Sequence, residues 1–251
     1  MLHLTRYAPP PGTAPATPLL IAHGLFGAAR NWGVVARRLA EGRPVIAVDM
    51  RNHGSSPWFA THTYADMAAD LAQVLVADGP ADVLGHSMGG KAAMVLALSR
   101  PDLVRRLIVA DIAPVGYGHS QMPQIAAMRR VDLARVTSRA EAAAMLRAES
   151  PDIAAFLLQS LDLDARAWRL NLEVLETAIP GIIGFPPVSG QFTGPALFVS
   201  GAQSSYLRPA HHGIIAALFP QAQFQVIPDT GHWLHAEKPR EFVAAVQGFL
   251  A

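Results

Sequence analysis

The sequence predicts an α/β fold, with a mostly parallel central sheet, helices on both faces and an inserted helical cap. Three observations carry this. From residue 19 to 111, short and continuously apolar runs alternate with segments of helical periodicity, the pattern of parallel strands covered on both faces. From about 115 to 193 that alternation stops and helical periodicity takes over, after which strands and helices resume. Between the apolar run Val83-Leu84 and the apolar helix Lys91 to Leu98 stands Gly85-His86-Ser87-Met88-Gly89, a strand-turn-helix that lifts a serine above a sheet edge. The expected division is a core of residues 1–114 and 194–251 and a cap of residues 115–193.

Composition narrows the function classes. A chain of 251 residues with 51% apolar and 16% charged residues has enough material for one large core and too little charge for long disorder. Its formal net charge of +1 argues against electrostatic binding of nucleic acid or a membrane surface. The absence of cysteine excludes disulfides, thiolate metal sites and a cysteine nucleophile. Residues 1–7 lack the apolar core of a signal peptide, and no apolar run reaches the roughly 18 residues that span a bilayer. A cytoplasmic protein is expected.

The first elements follow in order. Five prolines in residues 9–18 make a loop after an edge strand. The strand Leu19 to Ala22 runs into His23-Gly24-Leu25-Phe26-Gly27, where glycine allows close approach to the Ser87 turn. The Leu25 N–H is thereby a candidate oxyanion donor, with His23 as a structural hydrogen-bonder. Asn31 is expected to cap a helix over 32–40. The strand 44–48 ends at Asp49-Met50-Arg51, where Asp49 and Arg51 read as braces of the loop. Thr63 or Thr61 is expected to cap a helix over 64–76, and a strand over 107–110 ends at Asp111.

Helices are expected over 121–136, 139–149, 151–160 and 165–178, with Ser138 and Asp164 as N-caps. Met122, Met128 and Met145 are candidates for an acyl pocket or for core packing. The last third reads as a strand over 195–199, a helix over 209–218, a strand over 224–227 and a helix over 239–250.

A serine hydroxyl needs a base, and the base needs an acid partner. Among ten histidines, His232 lies in the loop after the last strand, where this chain order places the base; His235 begins to turn away. The acid is informative because residues 200–206 carry no carboxylate, and none occurs between Glu176 and Asp229. Asp111, at the carboxyl end of a sheet strand, is the candidate, with Asp229 as a rival better read as a turn former. Ser204 or Ser205 stands where the other acid would be. Met88, first in its helix, offers a second oxyanion N–H.

His23-Gly24-Leu25-Phe26-Gly27, Asp49-Met50-Arg51-Asn52-His53-Gly54, Gly85-His86-Ser87-Met88-Gly89-Gly90-Lys91, Asp111-Ile112-Ala113-Pro114, Trp168-Arg169-Leu170-Asn171 and Gly231-His232-Trp233-Leu234-His235-Ala236-Glu237-Lys238-Pro239 together resemble the α/β-hydrolase superfamily, and within it small bacterial esterases of the YbfF type. The resemblance implies an α/β-hydrolase fold and a carboxylesterase acting on small acyl esters, with acyl-CoA thioesters as a further class. It implies Ser87, His232 and Asp111 as catalytic residues and no cofactor or metal. It also implies Ser204 as a fourth member, from the loop Gly201-Ala202-Gln203-Ser204-Ser205-Tyr206. Phe26, Trp168 and Trp233 are expected in the substrate pocket. The partner is a small molecule rather than nucleic acid or a membrane, and the chain is a monomer or homodimer. The rival readings use the same residues for carbon–carbon hydrolysis, lyase or perhydrolase chemistry, or for a ligand receptor of low turnover.

Overall fold

The computed structural model describes residues Met1–Ala251. The strands are β1 (His3–Tyr7), β2 (Leu19–Ala22), β3 (Val45–Asp49), β4 (Ala81–His86), β5 (Val104–Ala110), β6 (Leu161–Asp162), β7 (Ala167–Trp168), β8 (Ala196–Gly201) and β9 (Ala222–Ile227). The helices are α1 (Gly33–Leu39), α2 (Tyr64–Asp78), α3 (Met88–Ser99), α4 (Met122–Arg129), α5 (Arg139–Leu146), α6 (Pro151–Leu158), α7 (Leu172–Ile183), α8 (His212–Leu218), α9 (Leu234–Glu237) and α10 (Pro239–Leu250). Seven strands form one sheet in the order β1-β3-β2-β4-β5-β8-β9, and only β1 runs antiparallel to its neighbour. The short β6 and β7 pair with each other in a separate ribbon.

Every residue of β2, β3, β4 and β8 is buried, which is why these strands read as unbroken apolar runs. Alternate side chains feed two cores. Leu19 and Ile21 face the cluster built with Trp32, Val35, Phe242 and Val246 from the α1 and α10 side. Leu20 and Ala22 face the larger cluster of α2, α3 and the segment between β5 and β8. No helix is long and apolar enough to cross a membrane.

Several expectations need correction. The helix expected over 165–178 under an Asp164 cap is instead the turn between β6 and β7, followed by α7 from Leu172. Backbone pairing overrides helical propensity here: Gly54 N–H donates to Arg169 O at 2.8 Å and Asn171 N–H to Asn52 O at 3.0 Å, zipping 169–171 onto the loop after β3. Arg166 turns with a φ of 50°, and Asp162 accepts from the Ala165 N–H. The helix expected to reach residue 136 stops at Arg129, because Asp132 starts a turn, accepting from the Ala134 N–H. Asn31 lies inside a single 3-10 turn over Ala29–Trp32 rather than capping α1, and its Oδ1 accepts from the Ala28 N–H. Thr63 does cap α2, accepting from the Asp66 N–H at 3.1 Å, and Ser138 caps α5.

A close backbone contact lies where α3 crosses β2. A Cβ on Gly89 would stand 2.4 Å from the Ala22 carbonyl oxygen, which is backbone and has no room to yield, whereas one on Gly213 of α8 would meet nothing within 4 Å. Gly89→Ala is expected to cost more than about 4 kcal/mol, against a gain of up to about 1 kcal/mol for Gly213→Ala; urea unfolding of the two variants checks the contrast.

Candidate functional site

Ser87 occupies the turn between β4 and α3 with φ 52° and ψ −119°, a conformation that costs energy for any residue with a Cβ. The surroundings over-determine it. Ser87 N–H donates to Ala110 O at 3.1 Å, and a Cβ on Gly85 would fall 2.3 Å from Gly89 O. The sharp turn therefore exists only because both flanking positions are glycine.

Asp111 follows β5, also at positive φ (52°), and its N–H donates to Val199 O at 2.8 Å. The carboxylate is fully buried and accepts three hydrogen bonds. His232 Nδ1 lies 2.7 Å from Oδ2, the Ser204 hydroxyl donates to the same oxygen, and Gly201 N–H donates to Oδ1 at 3.2 Å. A carboxylate accepts only, so Nδ1 of His232 carries the proton and the Nε2 lone pair is left for another partner. The His232 side chain is 19% exposed. Tyr206 stacks on its ring at 3.9 Å and His86 Nε2 donates to its backbone carbonyl at 2.9 Å, so both ring plane and loop are held. Ser87 Oγ makes no hydrogen bond within the chain and faces the same cavity as His232.

The loop after β2 is locked by two histidines that sequence reasoning credited only in part. His23 accepts the Met50 N–H at 2.9 Å through Nε2 and donates through Nδ1 to Gly24 O at 2.7 Å. His53 accepts the Phe26 N–H at 3.1 Å and donates to Arg51 O at 2.8 Å. Burial lowers the pKa of His23 and lowers that of His53 further, keeping both rings neutral with one donor and one acceptor each. Between their attachment points the Leu25 N–H donates to nothing in the chain, and neither does that of Met88 at the start of α3. Asp49 braces the same loop, accepting from the Ala29 and Ser55 N–H groups. Arg51 pairs with Asp70 and Asp66 rather than with Asp49.

Ser87, His232, Leu25 and Met88 border one cavity of about 280 Å³. Phe26 and Trp233 line it as expected, joined by Tyr64, Phe156 and Ile182. Trp168 does not. It is buried in the segment between β5 and β8, where Nε1 donates to Met128 O at 3.2 Å, because β7 turns the indole toward α4. Met122, Met128 and Met145 also stay out of the cavity: Met122 is exposed and the other two pack in the core. Asp229 is mostly exposed at a φ of 53° and pairs with Lys238. His235 stacks on Trp32 at 4.1 Å, away from Asp111. Tyr206 and Lys91 were not singled out from sequence, since an aromatic in a loop and a lysine in a helix carry no periodic signal. No group of His, Cys, Asp or Glu side chains is arranged to hold a metal ion.

Comparison with known proteins identifies the family. Residues 17–239 match a family described as the alpha/beta hydrolase fold. The chain is 41% identical to a mouse protein named sn-1-specific diacylglycerol lipase ABHD11, over 96% of this chain and 83% of that one. It is 39% identical to esterase YbfF of Escherichia coli K12 over 93% of each. A solved structure titled marine microorganism esterase superposes with a TM-score of 0.92 at 33% identity, covering 99% of both chains.

Burial sets an acid limit on this site. His62 and His235 are drawn down to a pKa of about 3, so the unfolded chain takes up protons near pH 6.5 while the folded chain resists until about 3. Stability therefore rises with pH across that window, and each ring should cost about 2 kcal/mol at pH 5 relative to pH 8. Denaturant unfolding at the two pH values should show the loss, and His235→Asn should flatten the slope.

Proposed function

The chain belongs to the α/β-hydrolase fold family and is a carboxylic ester hydrolase, and on that premise we propose that it works through an acyl-enzyme on Ser87, with His232 as base and Asp111 as the acid that orients it. The observation that carries this reading is the bond between His232 Nδ1 and the buried Asp111 carboxylate, which leaves Nε2 facing the cavity that Ser87 borders.

In this mechanism Ser87 Oγ attacks the acyl carbonyl carbon as His232 Nε2 takes its proton. Negative charge collects on the former carbonyl oxygen, where the N–H groups of Leu25 and Met88 and the positive end of α3 receive it. Collapse expels the alkoxide, which leaves as the alcohol with the proton from His232. Water then enters, is deprotonated by the same nitrogen and releases the acid. Asp111 stabilises the transient imidazolium and stays ionised. Ser204, donating to the oxygen that His232 shares, supports the acid rather than the imidazole itself. A thioester differs only in its leaving group, so acyl-CoA substrates fall within the same chemistry.

Residues 115–193 act as a cap, because Phe156, Leu157 and Ile182 from this segment cover the cavity. The cavity of about 280 Å³ lies just below the roughly 300–1,000 Å³ range of ligand sites, which favours esters of short acyl chains.

Acyl release from p-nitrophenyl esters and acyl-CoAs of graded length tests the reading. Ser87→Ala should lose at least about 10⁴-fold in turnover and Asp111→Asn about 10³- to 10⁴-fold. Retained multiple turnover in the serine variant would sink the proposal. Ser204→Ala should fall by only about 10- to 100-fold, the worth of one hydrogen bond to a charged group.

A further inference from the structure

Lys91 is 1% exposed, sits one turn of α3 beyond Ser87 and has no acidic partner. Its ammonium donates instead to three backbone carbonyls: Val115 at 2.9 Å, Ile183 at 3.0 Å and Gly184. Burial without an acidic partner lowers the pKa of Lys91 to about 7; in the protonated form the side chain has three donors and no acceptor, so these bonds use its whole capacity. The acceptors are not scattered. Val115 lies just beyond Asp111, where the chain leaves the core, and Ile183 and Gly184 lie where α7 ends and the chain starts back toward β8.

The last carbonyls of a helix lack intrahelical partners and carry the negative end of its dipole, so a desolvated cation is matched to the end of α7. Two further contacts draw the same points together: Tyr117 N–H donates to Ile183 O at 3.0 Å, and the Tyr64 hydroxyl donates to Ile182 O at 2.6 Å. The ammonium also lies 4.7 Å from the centroid of the Tyr117 ring and 5.8 Å from that of Tyr64. Lys91, Tyr64, Tyr117 and Ile183 all line the cavity that holds Ser87. The stem of the inserted segment is thus also one wall of the cavity.

We propose that Lys91 is a positioning residue that clasps both ends of residues 115–193 to the nucleophile helix, and thereby sets where the acyl cavity closes and which acyl lengths it accepts. This rests on reading that segment as a cap over an esterase site. Lys91 touches no reacting atom in this role. With every N–H engaged by backbone it offers no hydrogen bond to substrate, so it acts through the position of the wall.

Lys91→Met keeps the length of the side chain and removes all three donors. Two quantities are read on the variant and the wild type: the ratio of kcat/KM for p-nitrophenyl octanoate to that for the acetate, and amide hydrogen exchange at residues 113–118 and 182–188 without substrate. The expected result is a ratio raised at least 10-fold, with faster exchange at both stem segments. An unchanged ratio with faster exchange would make Lys91 a structural strut only and overturn the selectivity claim; unchanged exchange would overturn the clasp. Should Lys91→Met not fold, Tyr64→Phe removes one tie to the same stem and should raise exchange at 182–188 and shift the ratio in the same direction; no change in either would overturn the proposal. If the wild type hydrolyses neither ester, the esterase reading fails by itself and the exchange data still decide the clasp.

Discussion

The contact on which the rest of the site depends is backbone against backbone at the Ser87 turn. Gly85 and Gly89 bring β2, β4 and α3 closer than any side chain allows, and Gly24 adds a tight approach: a Cβ on Gly89 would meet Ala22 O and His23 O, and one on Gly24 would crowd His86 and Ser87. This proximity sets two unengaged N–H groups from different elements, Leu25 after β2 and Met88 at the head of α3, on one cavity. It also stores strain, since Ser87 holds its positive φ only while the neighbours leave it no alternative. In the proposed mechanism, a donor pair built on packed backbone is already oriented before any substrate arrives, and little reorganisation is left for the reaction itself.

The Asp111 carboxylate is held by a second constraint of the same sheet. Asp111 leaves β5 at positive φ with its N–H bound to Val199 O, which turns the carboxylate under the loops after β8 and β9 rather than into the sheet. There a buried negative charge needs donors, and it finds three: a ring nitrogen, a hydroxyl and a backbone N–H. The loop after β8 has no carboxylate of its own; it supplies Ser204 and Gly201 as donors instead. Moving the charge from one strand to its neighbour exchanges the roles of the two loops without moving the imidazole between them.

Much of this was legible from residues alone. Continuous apolar runs identified the parallel strands because both faces are covered, and the empty acid position after Val199 pointed to Asp111 by elimination. The structure brings Ser87, His232, Leu25, Met88, Phe26 and Trp233 to one cavity. What failed has a common cause. The helix expected from residue 165 and the cap at Asn31 rest on local propensity and the placement of Trp168 on a matching stretch of sequence, whereas a long-range partner acts at each: Asn52 and Gly54 for residues 169–171, Gln159 for Asn31, and Met128 for Trp168. Tyr206, stacked on His232 from a loop 26 positions earlier, left no periodic trace at all.

The histidines show how one residue type is divided between mechanics and chemistry. His23, His53, His62, His86 and His235 are all buried, and desolvation lowers every one of their pKa values. A neutral imidazole has one donor and one acceptor on opposite sides of a rigid ring, which suits it to join an N–H to a C=O across a tight loop, as His23 and His53 do. His232 differs in two physical respects. Its Nδ1 meets a carboxylate instead of a carbonyl, so a positive charge on the ring is compensated, and its other nitrogen reaches the cavity instead of backbone. Burial without a charge partner suits a ring to bracing, while a charge partner with an open second nitrogen suits it to the role of base proposed for His232. The same distinction applies to Lys91, whose Nζ meets only backbone carbonyls, which suits it to the proposed clasp on both ends of residues 115–193 rather than to proton transfer.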